Sequence, residues 1–316
     1  MTETTFAPVG HLVDAEWLKA HYTHPDLIVL DARIGPQVTE ARGSPYTSGA
    51  ASFERDGHIP GARFMDLLTE LSDPSARFPF TRPQNTALRE AVQRVGVRER
   101  SVLVVYDSMS GAWAARAWWV LLAYGHPSVH VLDGGLAAWH AAGGDLEYGS
   151  AVVPAPGDFV PEARDGYFVD TPDVLAALER PANVRLICAS RLNEFTGDGS
   201  NEPRRGHIPG SFSVPYRQLL DEQGRLQLDR VKCEALRLGL KPTVGFEPKV
   251  ESILYCGGGV NAAGLALGLL TAGYSSFQVY DGSLNEWRDD PPFRSSLGPT
   301  PLPSSSKSNL RTFLGG

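Results

Sequence analysis

The stretch ILYCGGGVNAAGLALGLLTAG, from Ile253 to Gly273, sets one cysteine, Cys256, after an apolar run and before three glycines. The order reads as strand, tight turn, helix. A glycine-rich turn at such a junction can aim several backbone N–H groups inward, because glycine tolerates positive φ and no side chain fills the bowl. The helix, expected to begin near Asn261, adds its unpaired N–H groups and the positive end of its dipole. Such a bowl holds an anion. A thiol at its rim is expected to have a lowered pKa and to react as thiolate. The plainer alternative is a tight turn beside a buried cysteine.

Working outward, GHIPGA at Gly57 to Ala62 returns as GHIPGS at Gly206 to Ser211, 149 positions later. LVVYDSMSGAWAA and SILYCGGGVNAAG align Asp107 with Cys256 at the same distance. VLDGGLAAW and VYDGSLNEW align Asp133 with Asp281 and Trp139 with Trp287, 148 apart. Preserved order and spacing make the chain two copies of one domain. Each copy alternates apolar runs with helical patterns: LIVLDA at Leu27, VLVVYD at Val102 and VHVLDG at Val129, then RLICAS at Arg185, SILYCG at Ser252 and FQVYDG at Phe277. The expected fold is α/β, two tandem domains, each a parallel sheet flanked by helices. The domains are read as 8–146 and 164–293, joined by a Pro- and Gly-rich linker at 147–163 and followed by a Pro/Ser-rich tail at 294–316.

The 316 residues suit two domains, each able to bury a core. With 29 basic against 36 acidic residues and no basic run, nucleic acid is not an expected partner. No apolar stretch reaches about 18 residues, and MTETTFAPVGHLVDAEW lacks the features of a signal peptide, so no membrane partner and a cytoplasmic location are expected. Cys188, Cys233 and Cys256 are too scattered for a disulfide framework, and the histidines lack metal-site spacing, so no metal or cofactor is expected. Cys188 and Cys233 read as small hydrophobes.

The copies differ at the turn. The first has DSMSGAW, with Asp107 in the cysteine position and bulky Met109 and Trp113, a poor bowl for an anion. An inactive copy followed by an active one, with GHIPG, a Cys-led turn and YDGSxxEW, resembles the two-domain rhodanese family of sulfurtransferases from about Val13 to Trp287. The resemblance implies that Cys256 accepts sulfane sulfur as a persulfide and passes it to a nucleophile. It implies that the loop Gly257, Gly258, Gly259, Val260, Asn261 and Ala262 binds substrate. Implied partners are a small sulfur donor and an acceptor such as cyanide, a small thiol or thioredoxin. Sulfur transfer through Cys–S–S⁻ is covalent catalysis in two displacements, and both place negative charge where the amides converge.

Mercaptopyruvate enzymes of the family resemble CGSGVTA in this loop and thiosulfate enzymes CRKGVTA; this chain has CGGGVNA. The absence of basic residues at 257 and 258 favours mercaptopyruvate as donor, while Gly258 lacks a hydroxyl and Asn261 replaces threonine. An Asp–His relay proposed for the mercaptopyruvate type would fall at Leu68 and Phe80 and is not present. Arg204, in Glu202–Pro203–Arg204, matches a substrate-binding arginine, and Glu194 takes the place of another. Arg191 follows a family arginine whose Asp partner two residues back is replaced by Ala189. Each arginine has a plain alternative as a surface charge or structural ion pair, and Arg191 reads the more structural of the two. His58 and His207 occur in both copies and read as fixing the GHIPG turns.

Two other functions fit parts of this pattern. A Cys-led phosphatase needs Cys-x5-Arg to clamp phosphate, and position 262 is alanine. A non-catalytic binding module of the same fold is countered by the intact cysteine and open glycine loop.

Overall fold

The computed structural model describes residues 6–36, 46–151, 154–181, 184–198, 205–243 and 251–289. The first sheet comprises β1 (Leu12–Val13), β2 (Leu27–Asp31), β3 (Arg63–Phe64), β4 (Val102–Tyr106) and β5 (Val129–Leu132). The second comprises β6 (Phe168–Val169), β7 (Arg185–Cys188), β8 (Phe212–Ser213), β9 (Ser252–Tyr255) and β10 (Phe277–Tyr280). Both are wholly parallel and share one strand order, β1-β5-β4-β2-β3 and β6-β10-β9-β7-β8. Every residue of β2, β4 and β9 is buried. Such unbroken apolar runs arise because helices cover both faces of a parallel sheet.

Those helices are α1 (Ala15–His21), α2 (Ala50–Asp56), α3 (Asn85–Arg94), α4 (Ala112–Ala123) and α5 (Gly135–Ala141) in the first copy. The second has α6 (Thr171–Leu178), α7 (Leu192–Thr196), α8 (Leu228–Arg237), α9 (Val260–Thr271) and α10 (Ser283–Asp289). Both α4 and α9 are buried along nearly their whole length, because they pack against each other where the domains meet. An apolar helix with no wet face requires such a position. One hydrophobic core therefore runs through both domains, and smaller clusters fill the outer sheet faces. Gly264 permits the close approach: a Cβ there would lie 2.7 Å from the Tyr216 ring.

The six strands read from sequence are all present, and α9 begins at Val260, one residue before the expected start. The two-residue outer strands β1, β3, β6 and β8 carry too short a pattern to be seen beforehand. Part of the expected linker is tied to the first domain, with Phe159 buried and its N–H donating to Val97 O at 3.2 Å. The tail at 294–316 lies outside the described residues. Among the described residues no helix is long and apolar enough to cross a membrane.

Candidate functional site

Cys256 sits at the C-terminal end of β9, a central strand, where parallel α/β sheets place their sites. Gly259 caps α9 with φ +79, which turns the chain so that successive N–H groups converge. The N–H groups of Gly258, Gly259, Asn261 and Ala262 donate to Cys256 Sγ. The thiol is 2% exposed, and burial pushes its pKa above the ordinary thiol value although all four donors pull it down. This corrects the expected lowering: the bowl is present, but taking the sulfur out of water costs the thiolate more than the amides return. Cys256 N–H is held in turn by Ser283 Oγ at 3.3 Å, and Ser283 has the rare φ of +50.

The first-copy turn is not a poor bowl. Met109 and Gly111 N–H donate to Asp107 Oδ1 at 2.7 and 3.1 Å, and Ala114 N–H to Oδ2 at 3.0 Å. Gly111 caps α4 with φ +74, nearly the angle of Gly259. Its own carboxylate fills the bowl, and Met109 is 63% exposed and points away. The register also differs from the sequence alignment. Gly111 matches Gly259 and Ala114 matches Ala262, so the silent turn carries one residue more after Asp107.

Elements of the first domain close over the active turn. A Cβ on Gly258 would meet Asn285 Nδ2 at 3.0 Å, Phe80 Cδ2 at 3.5 Å and Pro79 O at 3.7 Å. A Cβ on Gly257 would meet nothing within 4 Å, so that side of the loop is open. Phe80 packs in an aromatic cluster with Tyr46 and Trp113, ring centroids 4.9 to 5.5 Å apart. Beneath Gly259 lies Arg116 from α4, fully buried, its Nη2 on Asp281 Oδ1 at 2.6 Å and on Phe80 O. Asp281 also receives the Arg82 N–H at 3.0 Å.

Arg191 caps α7 and is exposed, its N–H donating to Glu194 Oε2 at 3.3 Å. Burial, then the charges of Cys256 and Glu194, push the Tyr46 phenol up, while Arg191 acts in the opposite sense. These groups therefore lie within electrostatic reach of Tyr46. The partner lost to Arg191 is not at Ala189. Asp31 and Cys188 end equivalent strands opposite Tyr106 and Tyr255, so Ser190 replaces Arg33 and Arg191 lies one residue further on. Arg204 lies outside the described residues. His58 and His207 do fix their turns: each ring stacks on a phenylalanine at 3.7 Å and its Nδ1 bonds that residue's carbonyl oxygen.

Sequence reasoning passed over Arg116, Ser283 and Asn285. The contrast of VLDGG with VYDGS held a signal, since Ser283 takes the positive φ that Gly135 takes in the silent copy. Among the described residues no group of three or more His, Cys, Asp or Glu could hold a metal ion.

Residues 14–142 and 173–290 each match the rhodanese-like domain. The chain is 36% identical over 289 residues to a "Probable 3-mercaptopyruvate sulfurtransferase" of Pseudomonas aeruginosa, covering 89% of this chain and 96% of that one. It is 30% identical over 304 residues to the mitochondrial thiosulfate/3-mercaptopyruvate sulfurtransferase 1 of Arabidopsis thaliana, covering 89% and 76%. The crystal structure of the 3-mercaptopyruvate sulfurtransferase SseA from Escherichia coli superposes with a TM-score of 0.73 at 32% identity, covering 87% of this chain and 98% of SseA. Two sheets of one topology, a cysteine in an amide bowl in the second and these likenesses over most of the chain lead to one conclusion: the chain belongs to the two-domain rhodanese family of sulfurtransferases.

Proposed function

We propose that the protein transfers sulfane sulfur from 3-mercaptopyruvate to a thiophilic acceptor through a Cys256 persulfide. The observation that carries this reading is the convergence of four N–H groups on Cys256 Sγ, in a bowl that the first copy fills with Asp107. The Cys256 thiolate attacks the donor sulfur and forms an S–S bond. The donor's C–S bond breaks, and its electron pair leaves on the enolate of pyruvate, which takes up a proton. An acceptor thiolate or cyanide then attacks the outer sulfur, and the S–S electron pair returns to Cys256. Both steps gather charge at the bowl, whose dipoles are already oriented.

The donor assignment rests on charge. The rim at Gly257 and Gly258 is neutral, and the Glu194 carboxylate acts on Tyr46, whose phenol also feels the charge of Cys256. A carboxylate there opposes dianionic thiosulfate more than a monoanionic donor. In this reading Arg204, with Arg191 in a lesser role, supplies the compensating cation. The names of relatives cover both donors, as the Arabidopsis enzyme shows. Three free cysteines suit a reducing, cytoplasmic compartment, where small thiols and thioredoxin-type dithiols are the available acceptors.

The test is intact mass after incubation with 3-mercaptopyruvate, then with thiosulfate. Uptake of one sulfur, faster from 3-mercaptopyruvate and abolished in Cys256→Ser, is expected. Uptake by Cys256→Ser refutes the site, and faster loading from thiosulfate refutes the donor.

A further inference from the structure

Gly258 contributes an N–H to the sulfur but no side chain to the rim. The space its side chain would use is taken. A Cβ there would lie 3.0 Å from Asn285 Nδ2, a contact tight enough that the amide would have to give by a few tenths of an ångström. Asn285 is the third residue of α10, and its own N–H donates to Gly257 O at 2.9 Å, which fixes that helix start to the active turn. Its half-buried carboxamide makes no hydrogen bond with the described residues. Its two N–H donors are thus available to an anion bound at the loop.

We infer that the Asn285 carboxamide is a side-chain hydrogen-bond donor to the sulfur anion formed in the Cys256 loop, filling the place a loop hydroxyl at position 258 would hold. The inference rests on the sulfur-transfer reading above. The four loop amides surround Sγ itself, whereas charge in the persulfide sits on the outer sulfur, one bond further from the bowl. A side-chain donor beside Gly258 is placed to meet that charge, whereas Phe80, 3.5 Å from the same Cβ position, has no polar hydrogen to give. The two groups compete for this spot: Asn285 with Gly258, or a small residue at 285 with serine at 258.

That competition makes the test. In steady-state transfer from 3-mercaptopyruvate to a small thiol, Asn285→Ala should lose roughly 10- to 100-fold in kcat, the range of one hydrogen bond to a charged group, with the donor KM little changed. Gly258→Ser alone should also lose activity, because its side chain collides with the amide. The double variant Gly258→Ser/Asn285→Ala should recover most of the loss, while thermal melting of all three stays near that of wild type. Wild type that takes up no sulfur by intact mass overturns the parent reading together with this one. Wild type that loads beside a fully active Asn285→Ala overturns this inference alone, as does a double variant no better than either single one.

Discussion

Arg116 offers the sharpest check on how the silent domain supports the active one. Its guanidinium is 0% exposed and meets Asp281, 4% exposed, at 2.6 Å across the domain boundary. Removing one partner of such a pair costs about 3–5 kcal/mol, because the other is left charged and buried. The two partners are not equally exposed to that penalty. Without Arg116, Asp281 keeps the Arg82 N–H at 3.0 Å and its Nη1 at 3.6 Å. Arg116 also carries two buried donors, Nε and Nη1, with no hydrogen-bond partner among the described residues, so its removal relieves a cost of about 1 kcal/mol or more for each. Arg116→Met should therefore cost only about 1–3 kcal/mol. Asp281→Asn strands a fully buried cation against the Phe80 carbonyl and should cost at the upper end, about 4–5 kcal/mol. Urea unfolding followed by tryptophan fluorescence, with m compared between variants, measures both. Equal costs, or Arg116→Met as the worse variant, would refute the asymmetry and with it the view that Asp281 is the anchor.

Three further outcomes are expected. Gly259→Ala forces a side chain to φ +79 and places its Cβ 3.0 Å from Arg116 Nη1, so it should lose about 1–2 kcal/mol of stability along with most sulfur loading. Gly257→Ala, which meets no atom within 4 Å, should melt as wild type does, and a matched loss at both positions would contradict this reading of the loop. Because burial holds the Cys256 thiol above its ordinary value, its alkylation rate should keep rising with pH past about 8.5, and a plateau below neutrality would show a thiolate the structure does not support. Asp107→Asn keeps the shape of the silent turn but removes the acceptor charge from three N–H groups, so it should lower stability and leave transfer kinetics unchanged, as parallel melting and turnover measurements would show.

The repeat was legible because three separated motifs kept one spacing, and the strands were legible because a parallel sheet buried on both faces leaves long apolar runs such as VLVVY. What escaped the sequence depends on contacts between distant residues. In the first copy Arg33 is clasped by Asp31 at 2.6 Å and donates to Gly57 O at 2.9 Å, which fixes the GHIPG turn. In the second the strand offers Cys188 and Ser190 instead, and the matching carbonyl of Gly206 receives its guanidinium from Arg288 on α10, at 2.8 Å. The same physical need is met from a position that no alignment of the copies connects. The silent bowl follows the same logic. Asp107 reads in sequence as a missing nucleophile, yet in space it is an anion tied to the chain and bound by the turn geometry that the other copy leaves to Cys256. The duplicated turn thus aims backbone N–H groups at its leading side chain in both halves. Under the proposed sulfur transfer Cys256 supplies the atom that gains and loses sulfur where Asp107 supplies a fixed carboxylate, so chemistry would separate the copies where the backbone does not.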